Sequence, residues 1–408
     1  MGAVCPADTC LTDTRRTDTG AGVTCGTQGE TAGGRRVDPL SRRLARACYR
    51  GATAMRARLG ARAARPGDSP AVFYGGARAG DAGGPLVKVA RLQTRFPERT
   101  GSFNLVYSLS NAPYVPGASL DALARRGIAI VHNQNGVFYP GWYGGDWRAE
   151  NARMAVAYLR ADHVFWQSDF CRRCADTFLG PREGAGEVLF NAVDIERFSP
   201  GHAERPAGAP FTFLLTGKLQ AHVAYRLADT IAGLARARAA GLDAALTVAG
   251  YLDETAIRTA DMAARKHGVD GHVHIRGPYS QAEAPDIYRA ADAYVMTKHA
   301  DPCPNTVIEA MACGLPVAYV ASGGVPELVS PDAGAGVPAD DDWERPFRPD
   351  PDALGAAMAL VAQDHAAMGR AARARAEAAF GLDAWLARHE AVFGEVLARA
   401  AARTRKSR

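Results

Sequence analysis

The sequence predicts an α/β protein of two domains, each built around a parallel sheet. Its 408 residues exceed what a single ordinary hydrophobic core holds. Short apolar strands alternate with helix-length segments in two series, one starting at residue 71 and the other at residue 211. Such alternation is typical of βαβ units. The Pro/Gly/Ala-rich segment HAERPAGAP separates the two series, so we predict domains at 66–200 and 201–380.

Ten segments are predicted as strands. The first series contains AVFYGG, FNLVYSLS, IAIVHNQNG, HVFWQS and EVLF, and the second contains FTFLLTG, AALTVAG, HVHIRG, AYVMT and LPVAYV. Helices are predicted at 149–160 and 168–179, between the later strands of the first series. In the second of these helices Ser168 is a good N-cap residue, and Phe170, Cys174 and Phe178 form an apolar stripe.

The N-terminal extension, residues 1–65, carries the excess positive charge. It holds twelve Arg against five acidic residues, whereas the rest of the chain is nearly balanced. The net charge of +5 therefore does not indicate nucleic-acid binding by the folded body. Residues 1–34 are rich in Thr, Gly and Asp without periodicity, and they are predicted to be disordered.

Residues 35–65 have the pattern of an amphipathic helix, with apolar residues near one face and ten Arg on the others. Two interpretations are open. The helix could lie on an anionic lipid surface, or it could be a solvated helix that packs on the first domain, which is the favoured interpretation. No apolar run reaches the ~20 residues of a membrane span, and no signal-peptide pattern is present, which predicts a cytoplasmic protein. Cys171 and Cys174 form a lone CxxC, so no metal site is predicted.

The segment from Thr297 to Val329 concentrates the predicted chemistry. It has the pattern of a strand end, a loop, a short helix that Asn305 or Thr306 would cap, a buried strand and a glycine turn. Asp301 precedes this helix and Glu309 lies one turn inside it. Free N–H groups at a helix start suit a phosphate, and flanking carboxylates suit sugar hydroxyls. A second interpretation of Glu309 is that it forms a capping box with Thr306.

The spacing Asp301-x7-Glu309, followed by AMACGLPVAYVASGGVPELV, resembles the E-x7-E region of retaining family 4 glycosyltransferases, which have the GT-B fold. NAVDIERF near the domain crossover is similar to the N-G-V-D-x-x-x-F of that family. The resemblance covers roughly residues 71–395. It implies two Rossmann-like domains facing a cleft, with a C-terminal helix, residues 381–408, returning to the first domain. It also implies that Glu309 holds the nucleotide ribose and that Asp301, which replaces the usual Glu, lies beside the donor sugar.

The resemblance implies roles for further residues. Lys218, after Gly217 at the end of a strand, would bind the leaving diphosphate with Arg226 as an uncertain second cation. The strand-ending turn with Gly277 and Tyr279 would meet the nucleobase, and His132 would lie near the acceptor. The backbone amides of Asn305, Thr306 and Val307 would face the donor. From their type and position alone, Gly75 and Gly76 are predicted to let the first-domain backbone approach the ligand.

These features predict a metal-independent retaining glycosyltransferase that moves a sugar from a nucleotide-diphosphate sugar to a hydroxyl acceptor. No cofactor and no nucleic-acid partner are expected. The expected acceptor is a glycan or a lipid-linked molecule, with peripheral membrane contact through residues 35–65 as an option. Three alternatives are a non-catalytic nucleotide or sugar binder, a GT-B epimerase and a GT-B phosphorylase.

Overall fold

A computed structural model describes residues 40–80, 84–201, 206–340 and 342–406 of the chain. They form two α/β domains, each with a parallel sheet, which confirms the predicted fold class. The first domain contains α1 Leu40–Gly60, β1 Val72–Phe73, α2 Gly84–Gln93, β2 Leu105–Leu109, α3 Gly117–Arg125, β3 Ala129–Gln134, α4 Trp147–Tyr158, β4 His163–Trp166, α5 Asp169–Phe178 and β5 Ala185–Val188.

The second domain contains a longer series of elements. They are β6 Phe211–Thr216, α6 Tyr225–Ala239, β7 Ala244–Ala249, α7 Glu254–His267, β8 Val273–Gly277, α8 Ala284–Arg289, β9 Ala293–Met296, α9 Asn305–Ala312, β10 Val317–Ala321, α10 Val325–Leu328, β11 Gly334–Pro338, α11 Pro351–Gln363 and α12 His365–Ala379. A last helix, α13 Leu382–Lys406, follows them.

All ten predicted strands are present, and the structure adds β11. The sequence of β11, GAGVP, contains two glycines and a proline, which are depleted in strands and common in loops. It nevertheless pairs in parallel with β10 along its whole length. Tertiary pairing at a sheet edge therefore outweighs local propensity at this segment.

The two sheets differ in strand order. The first runs β1-β2-β3-β4-β5, in the order of the chain, whereas the second runs β11-β10-β9-β6-β7-β8. In the second sheet the order reverses between β6 and β9, and such a switch point leaves a crevice outside the carboxyl ends of the two strands. The fold thus predicts a ligand site beyond Thr216 and Met296.

Alternate residues of the first sheet fill two cores, as expected for strands that project side chains to both faces. Val106 and Ile130 pack with α3 and α4, while Tyr107 and Val131 pack with α13. Helix α13 buries a row of apolar residues in this second core. The row includes Trp385, Leu386, Val392, Phe393, Val396 and Leu397. The last helix therefore covers the first domain.

Helix α1 also packs on the first domain. Ala57 is fully buried, the Tyr49 hydroxyl donates to the Gly76 carbonyl at 2.6 Å, and Arg126 donates to the carbonyl of Arg58 at 2.6 Å. The predicted disorder of residues 1–34, and the start of the amphipathic segment up to residue 39, lie outside the described residues. Within the described parts of the chain, no helix is long and apolar enough to cross a membrane.

Candidate active site

A cavity of about 660 Å³ opens between the two sheets, at the switch point of the second one. The residues that follow β6, Gly217 and Lys218, line it together with Lys298 and His299, which follow β9. Loops after β3 and β4 and the first residues of α2 form the opposite wall. The position of the cavity matches the rule that open α/β sheets bind ligands outside the carboxyl ends of strands at a switch point.

The loop that carries Asp301 is held by the glycine turn after β10. The Gly324 amide donates to the Asp301 carbonyl at 2.9 Å, and a Cβ at Gly324 would collide with the carbonyl oxygen of Pro302. The Asp301 carboxylate accepts from the Cys303 amide at 3.1 Å and lies 2.8 Å from the Lys298 amine. Asp301 therefore lines the cavity as a fixed carboxylate paired with one cation.

Helix α9 begins at Asn305, with Pro304 in the N-cap position and without a side-chain cap. The prediction that Asn305 or Thr306 caps this helix is wrong, because the preceding proline already supplies the extended conformation of an N-cap residue. Both residues line the cavity instead. The side-chain oxygen of Asn305 is buried and has no hydrogen-bond partner among the described residues.

Glu309 makes no capping hydrogen bond at the start of α9. Its carboxylate accepts from the Tyr288 hydroxyl at 3.0 Å and lies 3.6 Å from the Arg91 guanidinium, which comes from α2 of the other domain. The capping-box interpretation is therefore wrong. Glu309 is only 5% exposed and does not line the cavity; nor does Val307, which is fully buried. Burial raises the pKa of Glu309, although Arg91 opposes the shift.

The two predicted cations occupy different depths. Lys218 is exposed at the cavity rim, with its amine 5.8 Å from the centre of the Tyr251 ring. Arg226, in the first turn of α6, is 5% exposed, and its guanidinium lines the cavity beside Met296. The Arg226 Nε atom is buried and has no hydrogen-bond partner in the part of the chain that the structure describes. Arg226 is thus the more rigidly held cation of the two.

Four buried polar atoms of cavity-lining residues lack a protein partner in the described chain: Asn191 Oδ1, Arg226 Nε, His299 Nδ1 and Asn305 Oδ1. His299 Nε2 lies 3.0 Å from the carbonyl of Asp342 and must donate to it, which leaves Nδ1 as an acceptor. Leaving buried polar groups unpaired costs free energy, so native proteins pair them with water or ligands. Three acceptors and one cationic donor suit a ligand with hydroxyls and negative charge.

Several predicted site residues lie elsewhere. His132 is fully buried, contacts Gln134 at 2.9 Å and does not line the cavity, because alternate residues of β3 face opposite sides of the sheet. Burial lowers the pKa of His132 to about 4. Gly75 and Gly76 turn against Val115 and α1, and Gly84 lines the cavity in their place.

The predicted nucleobase turn also lies outside the cavity lining. Gly277 has φ +87° and its carbonyl accepts from the Gly250 amide at 2.8 Å. Tyr279 packs near Glu309, and burial raises its pKa to about 12. The structure thus groups Tyr279 with Tyr288 and Glu309, next to the cavity but apart from its surface.

A carboxamide network between the domains was not predicted. Lys88 donates to Asn133 at 2.6 Å and to Asn135 at 3.0 Å. Gln167 donates to the same oxygen of Asn135, and Asn191 reaches both Gln167 at 3.3 Å and the carbonyl of Cys303 at 2.9 Å. One signal was available in the sequence: a lysine among apolar residues of a helix, in a chain with only five lysines.

The two parallel-sheet domains, with a cavity at the switch point of the second sheet, have the GT-B fold. Sucrose-phosphate synthase from Thermosynechococcus elongatus superposes with a TM-score of 0.55 at 17% identity, covering 77% of this chain and 78% of that one. HepE from Anabaena, in complex with UDP-glucose, gives a TM-score of 0.53 at 17% identity over 77% and 82% of the two chains.

The sequence comparisons point to the same class of proteins. Residues 210–364, the second domain up to the end of α11, match the model of the Glycosyl transferases group 1 family. Over 153 residues the chain is 33% identical to D-inositol 3-phosphate glycosyltransferase from Actinosynnema mirum, covering 35% of this chain and 37% of that one. Over 63 residues it is 38% identical to mannosylfructose-phosphate synthase from Agrobacterium fabrum, covering 15% and 14%. The matches span less than half of these relatives' length, and they confirm the predicted resemblance to glycosyltransferases.

Proposed function

We propose that this chain is a glycosyltransferase that moves a sugar from a nucleotide-diphosphate sugar to a hydroxyl acceptor. One observation carries the proposal: a buried guanidinium, that of Arg226, with its Nε unpartnered, lines the switch-point cavity of a glycosyltransferase group 1 domain. An unpaired buried cation is costly unless an anion joins it. The structural neighbour HepE has been crystallised with UDP-glucose, which supports a diphosphate as that anion.

The diphosphate would lie between Arg226 and the start of α9. The amides of Asn305 and Thr306 have no backbone partner among the described residues, whereas the Val307 amide donates to the Pro304 carbonyl at 3.1 Å. An N-terminal helix end favours negative charge. Lys218, at the rim, would contribute a more mobile second charge. We therefore rank Arg226 above Lys218, the reverse of the sequence-based expectation, because preorganised charges stabilise a developing anion best. These side chains support a metal-independent reaction.

The donor sugar would lie beside Asp301. His299 Nδ1 and Asn305 Oδ1 are acceptors without protein partners, and both belong to residues that line the same cavity. Sugar hydroxyls donate to such acceptors and thereby satisfy them. The Lys298 amine, 2.8 Å from the Asp301 carboxylate, helps to fix that carboxylate in position.

The chemical step breaks the bond between the sugar C1 and the diphosphate oxygen and forms a bond between C1 and the acceptor oxygen. The acceptor proton passes to the departing phosphate, on the same face of the sugar, so that the configuration is retained. Asp301 is held by the Lys298 amine and the Cys303 amide, which favours an orienting role over a nucleophilic one. The cations and helix amides would stabilise the departing diphosphate.

Glu309 is proposed to bind the ribose after a local exchange of partners. Its carboxylate now contacts Tyr288 and Arg91, and a ribose would replace the looser of these contacts, the 3.6 Å approach of Arg91. Tyr279, which packs near Glu309, would then adjoin the nucleobase.

The test is turnover and binding with a donor panel. Thermal shift with UDP, GDP, ADP and TDP should show one preferred nucleotide, and a ligand at ~100 times its Kd stabilises by about 2.7 kcal/mol. Release of that nucleotide from its sugar conjugate should persist in EDTA. Binding without turnover across the donor and acceptor panel would favour a non-catalytic binder, and loss of turnover in EDTA would assign the charge to a metal.

Helix α1 supports a proposed peripheral contact with anionic membranes. Leu44, Met55 and Leu59 are 58%, 60% and 79% exposed near one helical face, and exposed arginines such as Arg50 and Arg56 flank them. Apolar side chains beside basic ones suit an interfacial helix. Co-sedimentation with phosphatidylglycerol vesicles at low salt should be lost when these three residues are changed to Ser. Equal sedimentation of the wild type with phosphatidylcholine vesicles would contradict an electrostatic contact.

A further inference from the structure

The described first-domain wall of the cavity carries no charged side chain. Among the described residues that line it, none is Asp, Glu, Lys, Arg or His. Its polar residues include Ser110, Asn111, Asn135, Tyr139, Gln167, Cys174 and Asn191. All charged lining residues come from the second domain: Lys218, Arg226, Lys298 and Asp301. The ligand group on the first-domain wall therefore meets neutral hydrogen-bonding groups only.

The orientations of these carboxamides are fixed by their partners. Asn135 Oδ1 accepts from Lys88 and Gln167, so Asn135 presents its N–H₂ group, which donates to Asn111 at 2.9 Å and keeps a second hydrogen. Asn191 donates to two oxygens, which leaves its unpartnered Oδ1 as an acceptor. A donor and an acceptor on one neutral surface match hydroxyl groups, which both donate and accept.

One buried first-domain cation, Lys88, lies behind this surface. The Lys88 amine is buried and donates hydrogen bonds to Asn133 and Asn135. Burial lowers the pKa of Lys88 to about 7, with small opposing effects of Cys171 and Cys303 and a further lowering by Arg91. The amine does not line the cavity, so the Asn135 carboxamide separates it from any ligand.

An aromatic strip continues the neutral wall. Phe138 and Trp142 stack with ring centres 5.0 Å apart, and Trp142 remains 43% exposed. The indole N–H of Trp142 donates to the Val137 carbonyl at 3.1 Å, which fixes the ring. A rigid aromatic face beside carboxamides suits the apolar face of a sugar ring, with hydroxyls at its edge.

We propose that the acceptor group bound on this wall is an uncharged sugar or polyol and not a phosphorylated one. This inference rests on the proposed function, because it assigns the first-domain wall to the acceptor. A phosphate placed against the wall would lose its hydration without meeting a cation there. The chain would then differ from the two matched relatives whose names carry a phosphate, D-inositol 3-phosphate glycosyltransferase and mannosylfructose-phosphate synthase.

The test is an array of matched neutral and phosphorylated sugars, polyols and oligosaccharides, with binding measured on protein saturated with its preferred nucleoside diphosphate. Uncharged members should bind, and each phosphorylated partner should bind about tenfold more weakly or worse. The inference is overturned by either of two results: phosphorylated members bind more tightly than their uncharged partners, or no uncharged member binds. Failure of the proposed function is distinguishable, because it would appear beforehand as no nucleotide binding or as nucleotide binding without turnover.

A charge-gain variant sharpens the result. Asn111 is exposed on the wall, so Asn111→Arg adds a cation there without disturbing the core. It should shift the ratio of phosphorylated to neutral binding by about tenfold or more, the effect of one charge-assisted hydrogen bond. Asn111→Gln keeps the wall neutral, and Ala124→Arg adds the same charge to the exposed surface of α3; both should leave the ratio unchanged. A shift of equal size in Ala124→Arg would contradict a local role for the wall.

Discussion

The second-domain wall of the cavity presents three cations, one carboxylate and the open start of α9, whereas the described first-domain wall presents carboxamides and aromatic rings. Both walls are built on parallel sheets of similar size. The difference lies in topology: β6 and β9 diverge at a switch point, and the described strands of the first sheet follow each other in chain order. Charged side chains are therefore concentrated on the second-domain wall, where the fold opens a crevice. The first-domain wall contributes aromatic surfaces and neutral hydrogen-bonding groups.

The largest expected effect tests the cationic wall. Arg226→Met removes the buried guanidinium while keeping an apolar stem, and it should lower kcat/KM by about a hundred- to a thousandfold, or 3–4 kcal/mol. Lys218→Met should cost less, because its amine is exposed. Arg236→Met, on the same helix but half-exposed and paired with Asp352, is the matched control. Initial rates at saturating acceptor check this. A greater loss in Lys218→Met would restore the sequence-based ranking.

The contact between Glu309 and Arg91, which joins the two domains beside the cavity, comes next. Glu309→Gln leaves Arg91 buried without its carboxylate, and breaking such a pair typically costs about 3 kcal/mol or more of stability. Arg91→Met should cost a similar amount, and the double variant should cost less than the sum. Denaturant unfolding of the four proteins measures the coupling. If the losses of stability in the two single variants add up to that of the double variant, the 3.6 Å contact between Arg91 and Glu309 contributes no coupling energy.

Lys88 tests how the neutral wall is held. Because burial lowers its pKa in the folded protein to about 7, the unfolded chain binds one more proton between pH 7 and 10. The contribution of Lys88 to stability should therefore rise with pH in this window and be lost as the pH falls toward 7. Relative to Lys88→Met, the wild type should gain about 2 kcal/mol between pH 7 and 9. A pH-independent difference between the two unfolding free energies would mean that Lys88 titrates normally.

Particular residues show how much of the fold and of the site the sequence predicts. Strand and helix periodicity predicted ten of the eleven described strands, and the glycine turn after β10 did mark the loop of Asp301. The sequence also placed Lys218 and Arg226 beside the cavity, because both follow β6 closely. Their relative burial depends on how α6 packs, which no local pattern encodes.

The first-domain predictions failed for a related reason. The local sequence does not show that His132 faces the core and that Asn135, three residues later, faces the cavity. Both orientations depend on where β3 ends. Similarly, Glu309 fits a capping box by spacing, but Arg91 and Tyr288 approach it from distant parts of the chain. Contacts between domains decide both roles.

The central claim is that the second-domain wall binds the nucleoside diphosphate and the first-domain wall does not. It is tested most directly by calorimetric titration of the tightest-binding diphosphate among UDP, GDP, ADP and TDP into wild type, Arg226→Met and the double variant Asn111→Ala/Trp142→Ala. The account predicts a Kd raised about tenfold to a hundredfold in Arg226→Met and essentially unchanged in the double variant. An equal loss in the double variant, or an unchanged Kd in Arg226→Met, would contradict it.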